Sequence, residues 1–246
     1  MFRVVTFFIL GIFLVNHAIG ENLELPVYDE ALDCLLEPNE EIQLSSQIPG
    51  IIDKIQVERG DRVKRGQIVT VLKSGVERAA VALAQAKVDF GKRKLVRNKD
   101  LYRQELISVH EKDEMETEHR ITQLELKEVK EKLKLRTLRS PINGIVTERH
   151  HSVGEFVGED PVLTLVSIDP LNVEIIVPVS RIGSIRKGMK AIVEPESFSG
   201  KKFTGTVDIV DQVIDAASGT YTVRVKLPNP KHQITAGLKC QIHFEK

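Results

Sequence analysis

Three regimes of hydrophobic patterning follow one another along the chain. Over residues 41–72 the apolar positions come in short alternating runs, broken at Pro49-Gly50, Arg59-Gly60-Asp61 and Arg65-Gly66-Gln67. A period of two with Gly- and Pro-bearing breaks predicts short strands joined by tight turns. Residues 76–138 hold no proline and a single glycine, Gly91, and are rich in Ala, Leu, Glu, Lys, Arg and Gln, the strong helix formers. One helix of that length would be a rod of about 90 Å, so a break is expected. Ile107-Ser108-Val109 supplies it, because Ser108 followed by Glu111 is the S-x-x-E box that caps a new helix. Two antiparallel helices of about thirty residues, each about 45 Å long, are therefore predicted. In the second arm Met115, Thr122, Leu126, Val129 and Leu133 make a loosely apolar stripe at heptad-like spacing. The stripe is thin, which predicts a solvated stalk rather than a buried core.

Beyond Arg139 the first pattern returns, and it returns as a repeat. Ile48-Pro49-Gly50-Ile51-Ile52 matches Ile142-Asn143-Gly144-Ile145-Val146, and residues 57–63 match residues 151–157 around Gly60-Asp61 and Gly154-Glu155. Gln67-Ile68-Val69-Thr70-Val71-Leu72 likewise matches Pro161-Val162-Leu163-Thr164-Leu165-Val166. Two copies of a strand–turn–strand unit thus flank the helical pair. The remaining stretch alternates again over residues 173–177, 190–193, 202–213, 221–227 and 239–244, with turns between. Short antiparallel strands with no helix predict a small β-barrel.

The start of the chain is different in kind. Arg3 precedes an almost wholly apolar run over residues 4–15, and Ala18-Ile19-Gly20 places small residues after it. This predicts a signal peptide over residues 1–20, cut between Gly20 and Glu21; retention as an uncleaved anchor is the alternative. Export makes the two cysteines informative, because oxidising compartments join thiols. Cys34 and Cys240 lie near opposite ends of the mature chain. A bridge there would stabilise by about 2–5 kcal/mol, and two buried thiols are the other reading.

The duplicated Gly-x-(Ile/Val)…Gly-(Asp/Glu)-x-Val unit resembles the two halves of a biotinyl/lipoyl domain. Its interruption by a helical hairpin, with Leu138-Arg139-Ser140-Pro141-Ile142-Asn143-Gly144 following, resembles the periplasmic adaptor, or membrane fusion protein, family of efflux pumps. The resemblance implies a mainly β fold: a split lipoyl-like β-sandwich, an antiparallel coiled-coil hairpin and a small β-barrel. The divisions are residues 21–40 (strand leading from the barrel), 41–75 and 139–171 (lipoyl-like halves), 76–138 (hairpin) and 172–246 (barrel). It further implies an inner-membrane transporter, resistance-nodulation-division or ATP-driven, beneath the barrel and an outer-membrane channel-tunnel at the hairpin tip. Copies would associate in a ring, six by resemblance, in the periplasm of a Gram-negative cell. The family's docking pattern Arg-x3-Leu-x6-Ser falls on Arg97, Leu101 and Ser108. Their local alternatives are a solvated arginine, a seam leucine and a helix cap. Ile234-Thr235-Ala236-Gly237-Leu238 resembles the turn that ends the family's barrel. The family's membrane-proximal domain is expected to be reduced or missing after it, leaving the barrel to face the pump. An adaptor of type I protein or peptide secretion is the nearest alternative.

Charge and chemistry narrow the picture further. Lys+Arg and Asp+Glu are equal at 35 each, so no global field draws nucleic acid. Neither G-x-S-x-G, nor a phosphate-cradling glycine loop, nor H-E-x-x-H occurs, and no enzyme is expected. Lys73 lies near the junction of the lipoyl-like halves, where carrier domains present a modified lysine, but this junction opens into the helical stretch. A lipoyl or biotin carrier is therefore the weaker alternative, and no cofactor is expected. His150-His151 invites a metal, yet adjacent strand residues point to opposite faces and no Cys or carboxylate set joins them. No bound metal is expected either.

Overall fold

The computed structural model describes residues 31–198 and 200–245; the expected cleavage site at Gly20 and Glu21 lies outside them. After a first strand, β1 (Leu32–Glu37), the first copy of the repeat supplies β2 (Glu40–Ser45), β3 (Gly50–Ile55), β4 (Arg62–Val63) and β5 (Ile68–Leu72). Helices α1 (Gly75–Arg103) and α2 (Val109–Lys134) follow. The second copy then supplies β6 (Thr137–Arg139), β7 (Gly144–Arg149), β8 (Phe156–Val157) and β9 (Pro161–Ser167). Strand β6 begins where the sequence still reads as helix, because Leu138 turns into the sandwich core and β6 pairs with β5.

The two copies exchange strands. One sheet runs β2-β9-β7-β4 and the other β6-β5-β3-β8, so replacing each strand by its repeat partner turns one order into the other. Local bonds repeat as well. The Gly154 N–H donates to Ile52 O (2.9 Å) as the Gly60 N–H donates to Val146 O (2.8 Å). Ser46 Oγ donates to Ile48 O and Ser140 Oγ to Ile142 O, both at 2.6 Å. Ile52, Val69, Leu72, Val146, Val162, Leu163 and Leu165 are fully buried between the sheets, and truncating Ile52 or any of these leucines to alanine costs about 2–5 kcal/mol.

Strands β10 (Leu171–Pro178), β11 (Lys190–Pro195), β12 (Phe203–Val210), β13 (Thr220–Leu227) and β14 (Lys239–Phe244) complete the chain. With β1 they close a barrel in the order β1-β10-β13-β12-β11-β14. Along β13, Tyr221, Val223, Val225 and Leu227 point inward while Thr222, Arg224 and Lys226 are half-buried on the outside. The buried Tyr221 hydroxyl donates to Arg181 O at 3.1 Å, and desolvation pushes its phenol above the ordinary range. Strand β1 is thus a full stave, hydrogen-bonded to β10 and β14. Cys34 and Cys240 sit directly opposite one another in the β1–β14 register, joined as a disulfide with Cα atoms 4.9 Å apart.

Barrel and sandwich are fastened by buried polar groups. Asn229 donates from Nδ2 to Ile168 O and Ile234 O, and its Oδ1 accepts from the Gln233 and Ile234 N–H groups. Its own N–H donates to Asp169 Oδ1 at 2.8 Å. A side chain with every group paired holds the linker against the barrel loop, its hydrogen bonds offsetting the cost of desolvation.

Candidate docking surfaces

The hairpin presents two ends with different chemistry. At the tip, α1 stops because Glu105 takes a left-handed backbone (φ 57°), the conformation that commonly terminates helices. The Leu106 N–H then reaches back to Leu101 O (2.9 Å). Helix α2 starts on a reciprocal cap: Ser108 Oγ accepts from the Glu111 N–H (3.1 Å), and the Glu111 carboxylate accepts from the Ser108 N–H (2.7 Å) and Oγ (2.9 Å). Those bonds from Ser108 hold the Glu111 carboxyl below its ordinary range.

The three residues singled out by spacing therefore differ in what they offer. Arg97 and Leu101 lie one turn apart on α1 and are exposed, whereas the Ser108 hydroxyl is committed to the cap. Two apolar side chains stand beside them that the docking pattern passes over: Leu106 is 66% exposed and Val109 60%. Their signal was legible as apolar residues flanking a turn in a polar stretch. Below the tip the helices part around a groove of about 450 Å³, lined among others by Leu95, Val96, Tyr102, Ile107 and Met115. Lys112 lies 5.1 Å above the Tyr102 ring, and its bond to Glu116 holds its ammonium protonated above the ordinary range.

At the root, Arg136 ties the hairpin to the sandwich. Its guanidinium donates to Glu77 Oε1 from Nε (2.9 Å) and Nη2 (2.6 Å) and to Pro49 O from Nη1 (2.9 Å). Gly50 makes room for it, since a Cβ there would lie 2.5 Å from Arg136 Nη1. The Glu77 carboxyl is held below its ordinary range first by its own backbone N–H and then by Arg136.

The barrel end remote from the sandwich carries a second apolar surface. The Val179 N–H donates to Gly219 O (2.9 Å), bringing the β10–β11 and β12–β13 loops together. Ile176, Ile182 and Val213 are exposed in and beside these loops.

The remaining candidates are placed apart from these surfaces. Lys73 is exposed between β5 and the start of α1, its N–H bonded to Ile51 O (2.8 Å). His150 Nε2 lies 2.8 Å from Thr164 Oγ1, and His151 Nδ1 lies 3.0 Å from Glu155 Oε2. Among the described residues no cluster of three or more His, Cys, Asp or Glu side chains could hold a metal. Among them, too, no helix is long and apolar enough to cross a membrane.

Two family models together match most of the described residues. Residues 40–167 match the CzcB-like barrel-sandwich hybrid domain, and residues 171–246 match the CusB-like β-barrel domain. The cobalt-zinc-cadmium resistance protein CzcB of Cupriavidus metallidurans is 26% identical over 210 residues, covering 78% of this chain and 40% of that protein. The antibiotic efflux pump periplasmic linker protein ArpA of Pseudomonas putida is 23% identical over 212 residues, covering 80% of this chain and 57% of that protein. The chain thus spans about half the length of such relatives. A MacA–MexA chimera containing the Pseudomonas aeruginosa MexA α-hairpin domain shares the fold with a TM-score of 0.73 at 17% identity, over 87% of this chain and 80% of that one.

Proposed function

Because the chain belongs to the membrane fusion protein family, with its CzcB-like barrel-sandwich hybrid and CusB-like barrel domains, we propose that it acts as a periplasmic adaptor. In this reading it links an inner-membrane transporter to an outer-membrane channel for the export of small solutes. The observation that carries it is the order of parts. A hairpin of 29- and 26-residue helices leaves the sandwich and ends in exposed Leu101, Leu106 and Val109. Exposed apolar side chains at the end of such a stalk cost solubility and fit a partner's apolar surface. The barrel end, with Ile176, Ile182 and Val213 exposed, would face the transporter. The contribution to transport is geometric, a matter of binding at both ends.

The test is complementation. Cells lacking the chain lose export of one or more solutes in a panel of metal cations and antibiotics, and the intact gene restores it. Leu106→Asp with Val109→Asp should abolish restoration at unchanged melting temperature; full restoration by this variant would sink the tip assignment. A cysteine replacing Ser108 should form an adduct with an outer-membrane channel. The Cys34–Cys240 bridge belongs to the same exported state, and denatured, unreduced protein should show no free thiol; two titratable thiols would remove it.

A further inference from the structure

Two hollows lie on opposite sides of the hairpin's seam, and they differ in charge. Lys94 edges one and Lys99 the other; five residues apart, they point about 140° away from each other round α1, with Asn98 between them reaching Met115 Sδ of α2 at 3.1 Å. The first hollow is lined by Phe90, His119 and Ile121 and edged by Lys87, Lys94, Glu118 and Glu125. Both lysines are paired there, Lys87 with Glu125 (3.2 Å) and Lys94 with Glu118 (2.9 Å), so two cations meet two acids across the seam. The second is the groove below the tip. Its walls are Leu95, Val96, Tyr102, Ile107 and Met115, and its charged edge is Lys99, Arg103, Lys112 and Glu116, three cations against one carboxylate.

Helical spacing builds that edge. Val96, Lys99 and Arg103 follow one another at three and four residues along α1, so they share a face of the helix, and all three are exposed. Lys112 reaches in from α2, its ammonium 5.1 Å from the centre of the Tyr102 ring. Glu116 is bonded to Lys112 (3.3 Å) and Arg103 to Asp100 (3.4 Å), whereas Lys99 has no ion pair among the described residues. Val96 leaves 65% of its surface to water. About 450 Å³ of mostly apolar space with a few charged groups at one edge has the size and make-up of a small-ligand cleft.

We infer that this groove binds an amphiphilic anion: a single apolar chain or fused ring system lies along Val96, Tyr102 and Met115, and its carboxylate, sulfate or sulfonate sits among Lys99, Arg103 and Lys112. Two constraints fix the class. A small hydrophilic anion would leave the apolar walls uncovered and gain nothing from burial. An amphiphilic cation would be brought against three like charges. The hollow on the other side of the seam makes no such choice, because its charges cancel. Ile107 belongs both to the groove and to the turn between the helices, so an occupant would also set their separation just behind Leu106 and Val109. The site goes beyond the adaptor reading and does not depend on it.

Calorimetric titration of the purified protein tests the site with three amphiphiles of one chain length, each kept below its micelle concentration: decanoate, decyltrimethylammonium and the neutral decyl maltoside. Decanoate should bind at one site per chain and more tightly than either of the others. Equal affinity for all three, or no binding of decanoate, overturns the proposal. Lys99→Glu with Arg103→Glu should weaken decanoate about tenfold and turn the preference toward the cation; an anion preference that survives this double change also overturns it. Val96→Asp should remove binding at unchanged melting temperature, while Val213→Asp at the remote end of the barrel should leave it intact, and the opposite pattern would move the site to the barrel and sink this one. Because binding is read on the purified protein, failed complementation of export would count against the adaptor reading alone, and failed titration against the groove alone.

Discussion

The two copies of the repeat share strands, turns and a pair of equivalent glycines, Gly50 and Gly144, yet those glycines are there for different reasons. At Gly144 a Cβ would lie 2.4 Å from the carbonyl oxygen of Val166, which is main chain inside the sheet. At Gly50 it would lie 2.5 Å from the end of the Arg136 side chain, with Leu72 Cδ1 at 3.3 Å. One copy is constrained by the sandwich itself; the other has taken on the fastening of the hairpin. Matching sequence can therefore conceal a division of labour.

The comparison can be broken first at Gly144. A backbone oxygen cannot step aside, so Gly144→Ala should cost about 3 kcal/mol of stability in denaturant melts. Gly50→Ala should cost about 1–2 kcal/mol, since a guanidinium can swing away at the expense of its bonds to Glu77 and Pro49 O. In an Arg136→Met background that cost should shrink, whereas Gly144→Ala should stay as damaging, and a double-mutant cycle reads the difference. Ser140→Ala should cost about 1 kcal/mol and Ser46→Ala less, because Ser140 is buried and its counterpart only half-buried.

The smallest expected effect is one of pH. Glu77 has a folded pKa below its ordinary value, so its contribution is present at neutral pH and is lost as pH falls through the carboxylate range, below about pH 5. Glu77→Gln should flatten the melting temperature over that interval, and an unchanged slope would deny Glu77 its part in the root.

Much of this fold was legible along the chain. Gly50 and Gly144 marked the duplication, and Ser108 with Glu111 marked the start of α2, because each depends on neighbours within a few residues. Arg136 was not legible as the fastening, since its partners Glu77 and Pro49 are 59 and 87 residues away and neither is marked by composition. That β1 is a stave of the barrel was likewise hidden, because its partners β10 and β14 lie far along the chain. Of the tip, Arg97, Leu101 and Ser108 could be found by spacing. The exposure of Leu106 and Val109 required the turn to be built.

The pairing of β1 with β14 has a consequence for the order in which the molecule is made. A barrel whose first and last staves are neighbours cannot close until the final strand has emerged, and the sandwich must likewise wait for β9 to complete its exchanged sheets. The hairpin's two helices are each bonded within themselves and can form early. Once paired, they bring the end of β5 beside the start of β6, so more than sixty intervening residues act as a short loop and the entropy of closing the sandwich falls accordingly. Pulsed hydrogen exchange during refolding should therefore protect the hairpin first and β1 last; early protection of β1 would contradict this sequence of events. The stalk that would reach outward in the finished protein is, during folding, the clamp that draws its two halves together.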